Sequence, residues 1–437
     1  MSDVSDAGTV VRARSGVRAE TAAGTPALLA AGLAAFAASV IGYIVMVRSV
    51  PGPLWTLPDA TVYRDAGSAL RHGSGLLYTA KFGDPPLDYL YTPFAALGFA
   101  GASYLPPETW KYALTALGVA SVVYVSYASL GAAGVRMSTG RRLGVALLLA
   151  AAALWLEPVQ RTLSFGQINL VLLALVALDL STPQDRARKG IGIGIAAGIK
   201  LTPLIFVAYL LFSRRRRAAL VALGSFAATV AAGFAVAPAD SAAYWLHGEL
   251  LRSDVITHVL VNQSLRGFAE RLSHGAPSAH LLYPVFAAAA AAAGLTVAVA
   301  AARRGDELLG LVVCGTTGLL ISPVSWTHHW VYTVPALALT IPRPAGVWLR
   351  KTWTRVAFGA VLLALFTAWP VRLARYGGWD PSAGWSDGGL LRFQAHGGGP
   401  ELAWSTPELI LGDYYALAGL LLITCVGVSP LITRRRA

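Results

Sequence analysis

The sequence predicts an all-α polytopic membrane protein, and three observations carry that prediction. Charged residues make up 13% of the 437 residues and hydrophobic ones 55%, with a mean hydropathy of +0.58; soluble domains are about 25% charged. Apolar stretches recur along the whole chain, many near the roughly 20 residues needed to cross a hydrocarbon core. Arginines gather in short clusters at the ends of those stretches, as they do in cytoplasmic loops.

In chain order, apolar stretches at 26–47, 109–133, 141–157, 217–238, 281–302, 307–322, 328–342, 353–371 and 407–427 read as membrane helices. Shorter or interrupted ones lie at 93–105, 167–180 and 190–213. Of these roughly twelve segments, ten to twelve are expected to span, as one transmembrane domain over 26–428. Residues 1–25, with Arg12, Arg14 and Arg18, read as a disordered cytoplasmic N-terminus before an uncleaved anchor helix. Residues 429–437 read as a basic cytoplasmic tail. Cys314 and Cys425 both fall inside apolar helices, so neither a disulfide framework nor a metal framework is expected.

The basic clusters set the orientation. Arg214–Arg217, Arg303-Arg304, Arg343–Lys351 and Arg434–Arg436 all fall inside, which places both termini in the cytoplasm and the loops 48–92, 239–280 and 372–406 outside. The first half obeys the same rule only if 93–105 and 190–213 are broken or re-entrant. Pro93, Pro203 and the glycines at 190–198 make such breaks reasonable, since broken helices are tolerated where they line a cavity. The net charge of +13 is therefore topological, and nucleic acid is not an expected partner.

Candidate chemistry concentrates at the outer side. Pro58 to Leu70 reads as a short amphipathic helix whose apolar face (Val62, Ala66, Ala69, Leu70) rests in the headgroups. Near its start stand Asp59 and Tyr63. Asp59 is a candidate general base, the alternative being a helix cap. Lys200 lies about ten residues into its apolar segment, where a buried cation calls for an anion such as a lipid phosphate. Glu157, Arg161, Gln167 and Asn169 form a second polar group, read either as site or as interhelical network. His328-His329 between Trp326 and Trp330 could relay protons or bind phosphate. Asn262-Gln263-Ser264 could hydrogen-bond a polyol, and the loop aromatics suit sugar rings. Gly192-Ile193-Gly194 imitates a dinucleotide fingerprint but lies in an apolar segment, where small residues serve helix packing. No Asp-x-Asp pair occurs, which weakens any reading with a metal-held nucleotide-sugar.

Taken together, the loop from Asp59 to Tyr63, Gly73–Tyr78, Tyr91-Thr92-Pro93, Gly166-Gln167-Ile168-Asn169, Lys200-Leu201-Thr202-Pro203, Asn262-Gln263-Ser264 and Ser325–Trp330 resemble glycosyltransferase family 87 in order and spacing. The resemblance runs from about residue 55 to 335 and departs at Thr92, where the family more often has proline. It implies a GT-C fold with outer-face loop helices in a bacterial plasma membrane, as in mycobacteria. It implies an inverting enzyme that uses polyprenyl-phosphate sugars on the outer face, with no metal and no cofactor. The general similarity is to α-1,2-mannosyltransferases that move mannose from polyprenyl-phosphate-mannose to phosphatidylinositol mannoside. On that reading Asp59 is the base, with His328 and His329 beside it; Lys200, Arg64 and His328 hold the donor phosphate. Tyr63, Gln167, Asn169, Asn262, Gln263 and Trp326 would meet the sugar. An arabinofuranosyltransferase using decaprenyl-phosphoarabinose, or a mannosyltransferase acting on lipomannan, remains open as an alternative. A transporter is the distant one, disfavoured by the lack of internal repeats.

Overall fold

The computed structural model describes residues 24–49, 57–73, 77–84, 86–249, 257–344, 348–367 and 401–429. The N-terminal segment up to residue 23, the tail from residue 430 and most of the 372–406 loop lie outside the described residues. Within them the chain is almost wholly helical, apart from one antiparallel pair of two-residue strands, Lys81–Phe82 and Leu87–Asp88.

The helices are α1 (Thr25–Ser49), α2 (Pro58–Arg71), α3 (Pro93–Ala100), α4 (Pro107–Ala132), α5 (Thr139–Ala153), α6 (Glu157–Phe165), α7 (Asn169–Ser181), α8 (Ile191–Ile199) and α9 (Ile205–Phe212). The second half continues with α10 (Arg216–Val236), α11 (Pro238–Trp245), α12 (Leu265–Leu272), α13 (Ala279–Arg303), α14 (Glu307–Ile321), α15 (Thr333–Leu337), α16 (Thr352–Phe366), α17 (Thr406–Gly412) and α18 (Tyr414–Gly427).

Their ends follow local chemistry. Proline begins α2, α3 and α4, where its missing N–H costs nothing. Ser264 caps α12 by accepting from the Gly267 N–H at 3.2 Å, and Asp306 caps α14 through the Leu309 N–H at 3.2 Å. Ser405 and Glu408 form a capping box on α17.

Among the described residues, fewer single helices are long enough to span than the hydropathy leads one to expect. Among the described residues four (α1, α4, α10 and α13) are long and apolar enough to span, or six if two bent pairs each count as one. Those pairs are α6 with α7, bent by 119°, and α17 with α18, bent by 75°. Shorter apolar helices account for further stretches expected to span, among them α14 and α16. Helix α14 has 15 residues, about 22 Å at 1.5 Å per residue and short of the core thickness. The 328–342 stretch holds only the five-residue α15 between 3₁₀ turns. The two interrupted segments are indeed broken: α3 ends after eight residues, and 190–213 parts at Lys200 between α8 and α9.

Helix α1 lies along α5, α4 against α5 and α7, α7 on α8, and α8 on α10. Gly194 lets α8 approach closely, since a Cβ there would stand 2.4 Å from the Ala222 carbonyl oxygen. The small residues of that segment therefore serve packing. The C-terminal α18 packs between α13 and α14. It is pinned by a buried ion pair in which the Arg271 Nε of α12 reaches Asp413 Oδ2 at 3.1 Å.

Helix α2 forms where expected, but its apolar face does not lie in headgroups. Ala60, Val62, Tyr63, Ala66 and Gly67 are buried, and the helix packs on α3 and α4. The Trp110 indole N–H donates to the Ala60 carbonyl at 2.7 Å. Protein, rather than lipid, holds Asp59 in place.

Candidate active site

Asp59 occupies the first turn of α2, one residue past Pro58. The cap position itself belongs to Leu57, which adopts a left-handed conformation (φ 46°) and makes no side-chain cap bond. Asp59 does not occupy the cap position, though its carboxylate accepts from its own backbone N–H. Its half-buried carboxyl meets the Gln167 side chain and feels the positive charge of Lys200. Removal from water dominates over both and pushes its pKa up to about 6.

Gln167 sits at the elbow between α6 and α7, where Gly166 takes φ 68°. The elbow presses directly on the start of α2: a Cβ on Gly166 would lie 2.6 Å from the Ala60 Cβ and 3.1 Å from that of Leu57. Gly166→Ala combines that clash with a left-handed backbone costing about 1–2 kcal/mol. The variant is expected to melt several degrees lower and to lose activity through displacement of Asp59. Thermal denaturation read alongside an activity assay checks this, and an unchanged Tm would show that the elbow tolerates the methyl.

Beyond Gln167 the polar groups continue without interruption. Its oxygen accepts from the Tyr91 hydroxyl at 2.8 Å and lies 3.1 Å from that of Tyr63. Lys200, in the break between α8 and α9, donates to Asn169 Oδ1 at 3.1 Å and to His329 Nε2 at 3.0 Å. Its ammonium stands 5.4 Å from the Tyr91 ring centroid. Helix α3 is held to the same break by the Thr92 hydroxyl, which donates to the Gly198 carbonyl.

Lys200, Asn169 and His329 line a cavity with Thr202 and Tyr332. Its remaining wall is apolar, with Leu172, Leu173, Ile205 and Leu319 among its residues. Of the two adjacent histidines, His329 faces this cavity. His328 turns its ring onto Phe165, with centroids 5.3 Å apart, and its carbonyl accepts from Thr162 at 2.8 Å and Asn169 at 3.2 Å.

The other anticipated residues fall elsewhere. Arg64 points away along α2, donating to the Leu105 carbonyl at 3.1 Å and pairing with Asp65. Asn262 spends its amide on the Thr257 and Pro323 carbonyls and the Ser325 N–H. Gln263 likewise bonds the Leu260 and Gly412 carbonyls and the Tyr415 N–H. Half-buried Trp326 bridges Asn262 through the backbone. Tyr63 is fully buried beneath Gln167.

Glu157 gathers Arg161 (3.1 Å), Thr327 (2.8 Å) and Tyr415, and so ties the histidine turn to α18. The pattern had flagged Glu157 and Arg161. It named Tyr91 and Thr327 only within motifs and gave them and Tyr415 no role, because their partners lie far away in sequence. Among the described residues no group of three His, Cys, Asp or Glu side chains is placed to hold a metal ion.

Asp59, Gln167, Lys200 and His329 thus form one polar group beside a half-apolar cavity. The chain belongs to glycosyltransferase family 87, whose family model matches residues 89–323. Asp59 and the histidine pair fall just outside that match.

Curated relatives include a polyprenol-phosphate-mannose-dependent α-(1-2)-phosphatidylinositol mannoside mannosyltransferase of Mycobacterium tuberculosis, 34% identical over 61% of this chain. The chain spans 64% of that relative's length, a little under two thirds. The Mycolicibacterium smegmatis protein of the same description is 31% identical, covering 72% of this chain and 76% of the relative. A phosphatidylinositol pentamannoside mannosyltransferase of M. tuberculosis is 35% identical, over 66% and 67% respectively. No solved structure matches.

Proposed function

We propose that this protein transfers mannose from polyprenyl-phosphate-mannose to a phosphatidylinositol mannoside, forming an α-1,2 linkage at the outer face of a bacterial plasma membrane. The observation that carries the reading is the pairing of Asp59 with Lys200 across Gln167. One group can take a proton and the other can receive a departing phosphate. That combination suits a polyprenol-phosphate-mannose donor and a phosphatidylinositol mannoside acceptor, which the relatives' descriptions name.

In this mechanism Asp59 removes the proton from the acceptor mannose 2-hydroxyl. The oxygen attacks C1 on the face opposite the phosphate, and the C1–O bond breaks with its electron pair passing to the polyprenyl phosphate. A β-linked donor thereby gives an α-linked product. Lys200 neutralises the charge gathering on the leaving phosphate, the kind of preorganised electrostatic interaction that contributes most to such reactions. Asn169 and His329 hold the ammonium in place. The apolar part of the cavity suits the lipid end of a prenyl donor. Both substrates are anchored in the membrane, so they meet at a common depth.

A base must be ionised to act. With Asp59 titrating near 6, transfer is expected to be full above that pH and to fall as the pH drops through about 6. The test is transfer of labelled mannose from polyprenyl-phosphomannose to purified phosphatidylinositol mannosides across pH 5–8, with polyprenyl-phosphoarabinose as the competing donor. Transfer from the arabinose donor alone would replace this reading with an arabinosyltransferase.

A further inference from the structure

A primary amide offers a donor on one side and an acceptor on the other, so the way Gln167 is turned decides what Asp59 meets. Two phenols fix that turn. Tyr91 donates to Gln167 Oε1 at 2.8 Å, and the Tyr63 hydroxyl lies 3.1 Å from the same oxygen and 2.7 Å from the Tyr91 hydroxyl. Both rings are clamped. Tyr63 stacks on Phe99 with centroids 4.4 Å apart, and Tyr91 meets Tyr63 edge-on at 5.0 Å. Burial pushes the pKa of each phenol far above its ordinary value, so both keep their protons throughout the working range. With its oxygen committed to the phenols, the amide can present only N–H to the carboxylate. Turned over, it would set oxygen against carboxylate and leave a buried phenol proton without an acceptor.

We propose that Tyr63 and Tyr91 are positioning residues that lock the Gln167 amide with its nitrogen toward Asp59. The inference rests on the reading of Asp59 as the base. It gives Tyr63 a role other than touching the sugar, consistent with its full burial. It also joins base and cation mechanically, because the Tyr91 ring that orients Gln167 carries Lys200 over its face.

The groups acting on Asp59 are few. Lys200 reaches it from the break between α8 and α9, Gln167 from the elbow, its own backbone N–H from the first turn of α2, and the two phenols from α2 and from the residues just before α3. The other charges nearby are paired among themselves: Arg64 with Asp65, Lys111 with Glu108, Lys81 with Asp88 and Arg161 with Glu157.

The test is the pH profile of kcat/KM for the full-length protein and the Tyr63→Phe/Tyr91→Phe double variant. Loss of the phenol protons frees the amide to turn, and the acid limb should move to higher pH by roughly half to one unit. At pH 6 the double variant then runs about two- to five-fold slower than wild type, and at pH 8 the difference largely disappears. Gln167→Ala should move the limb the same way, and adding the two Phe substitutions to it should move the limb no further. The single variants, each lacking one buried oxygen, should give smaller shifts in the same direction. An acid limb identical to wild type, with the rate reduced equally at every pH, would show that the phenols only pack and would overturn the proposal. Retention of full transfer by Asp59→Asn would instead remove the base reading itself.

Discussion

Asp59→Asn is expected to lower transfer by about 10²–10⁴-fold, the contribution of a well-placed general base. The substitution keeps shape and size and removes only the ability to accept a proton. It leaves intact the packing of α2 on α3 and α4, which rests on Val62, Tyr63, Ala66 and Gly67. The melting temperature should therefore stay near that of wild type, or rise, because an ionisable group has been relieved of a dehydrated setting. A mannose-transfer assay paired with thermal denaturation checks both halves. A folded Asp59→Asn protein with unchanged kcat would shift the base to His329, the remaining proton acceptor at the cavity.

Lys200→Met should cost about 10²–10³-fold in kcat, comparable to losing one preorganised donor at a developing oxyanion. Methionine retains the apolar stem, so the break between α8 and α9 stays filled while the charge disappears. Asn169 and His329 lose their shared donor, but both keep other anchors or a cavity face. The loss should fall on kcat more than on KM, since phosphate charge grows as the C1–O bond breaks. Lys200→Arg should rescue poorly: a planar fork cannot reproduce a point charge donating to both Asn169 and His329. Steady-state kinetics at saturating acceptor separates these outcomes. A loss confined to KM would mean that Lys200 binds the ground state alone.

The fold class was legible because hydropathy and arginine placement are summed over long windows. The number of spans was not, since hydropathy does not register direction. The stretches 141–157 and 167–180 read as separate segments with a polar group between them, but nothing in that reading gave the turn of 119° at Gly166-Gln167-Ile168. Asp59, Lys200 and His329 were legible as expensive or unusual residues in apolar surroundings, and the structure brings the last two into one cavity. Arg64, Asn262 and Gln263 looked equally functional, but nearby backbone carbonyls claim their donors. A sequence cannot show which polar side chain is already occupied. Tyr91 was hidden for the opposite reason: its hydroxyl finds Gln167 across 76 residues, a pairing that only the assembled helices create.

The ties made by the last helix carry a consequence for biogenesis. Glu157 accepts a hydrogen bond from the Tyr415 hydroxyl, Gln263 is held by Gly412 and Tyr415, and Arg271 by Asp413. Each belongs to a segment synthesised well before α18 leaves the ribosome. Until that helix inserts, Glu157 keeps Arg161 and Thr327, and Gln263 and Arg271 keep nearby carbonyls, but each lacks one polar partner, which is costly in a dehydrated interior. Assembly of the site is therefore expected to finish only when this helix docks, and a chain stopped short of residue 413 is expected to be unstable and inactive rather than weakly active.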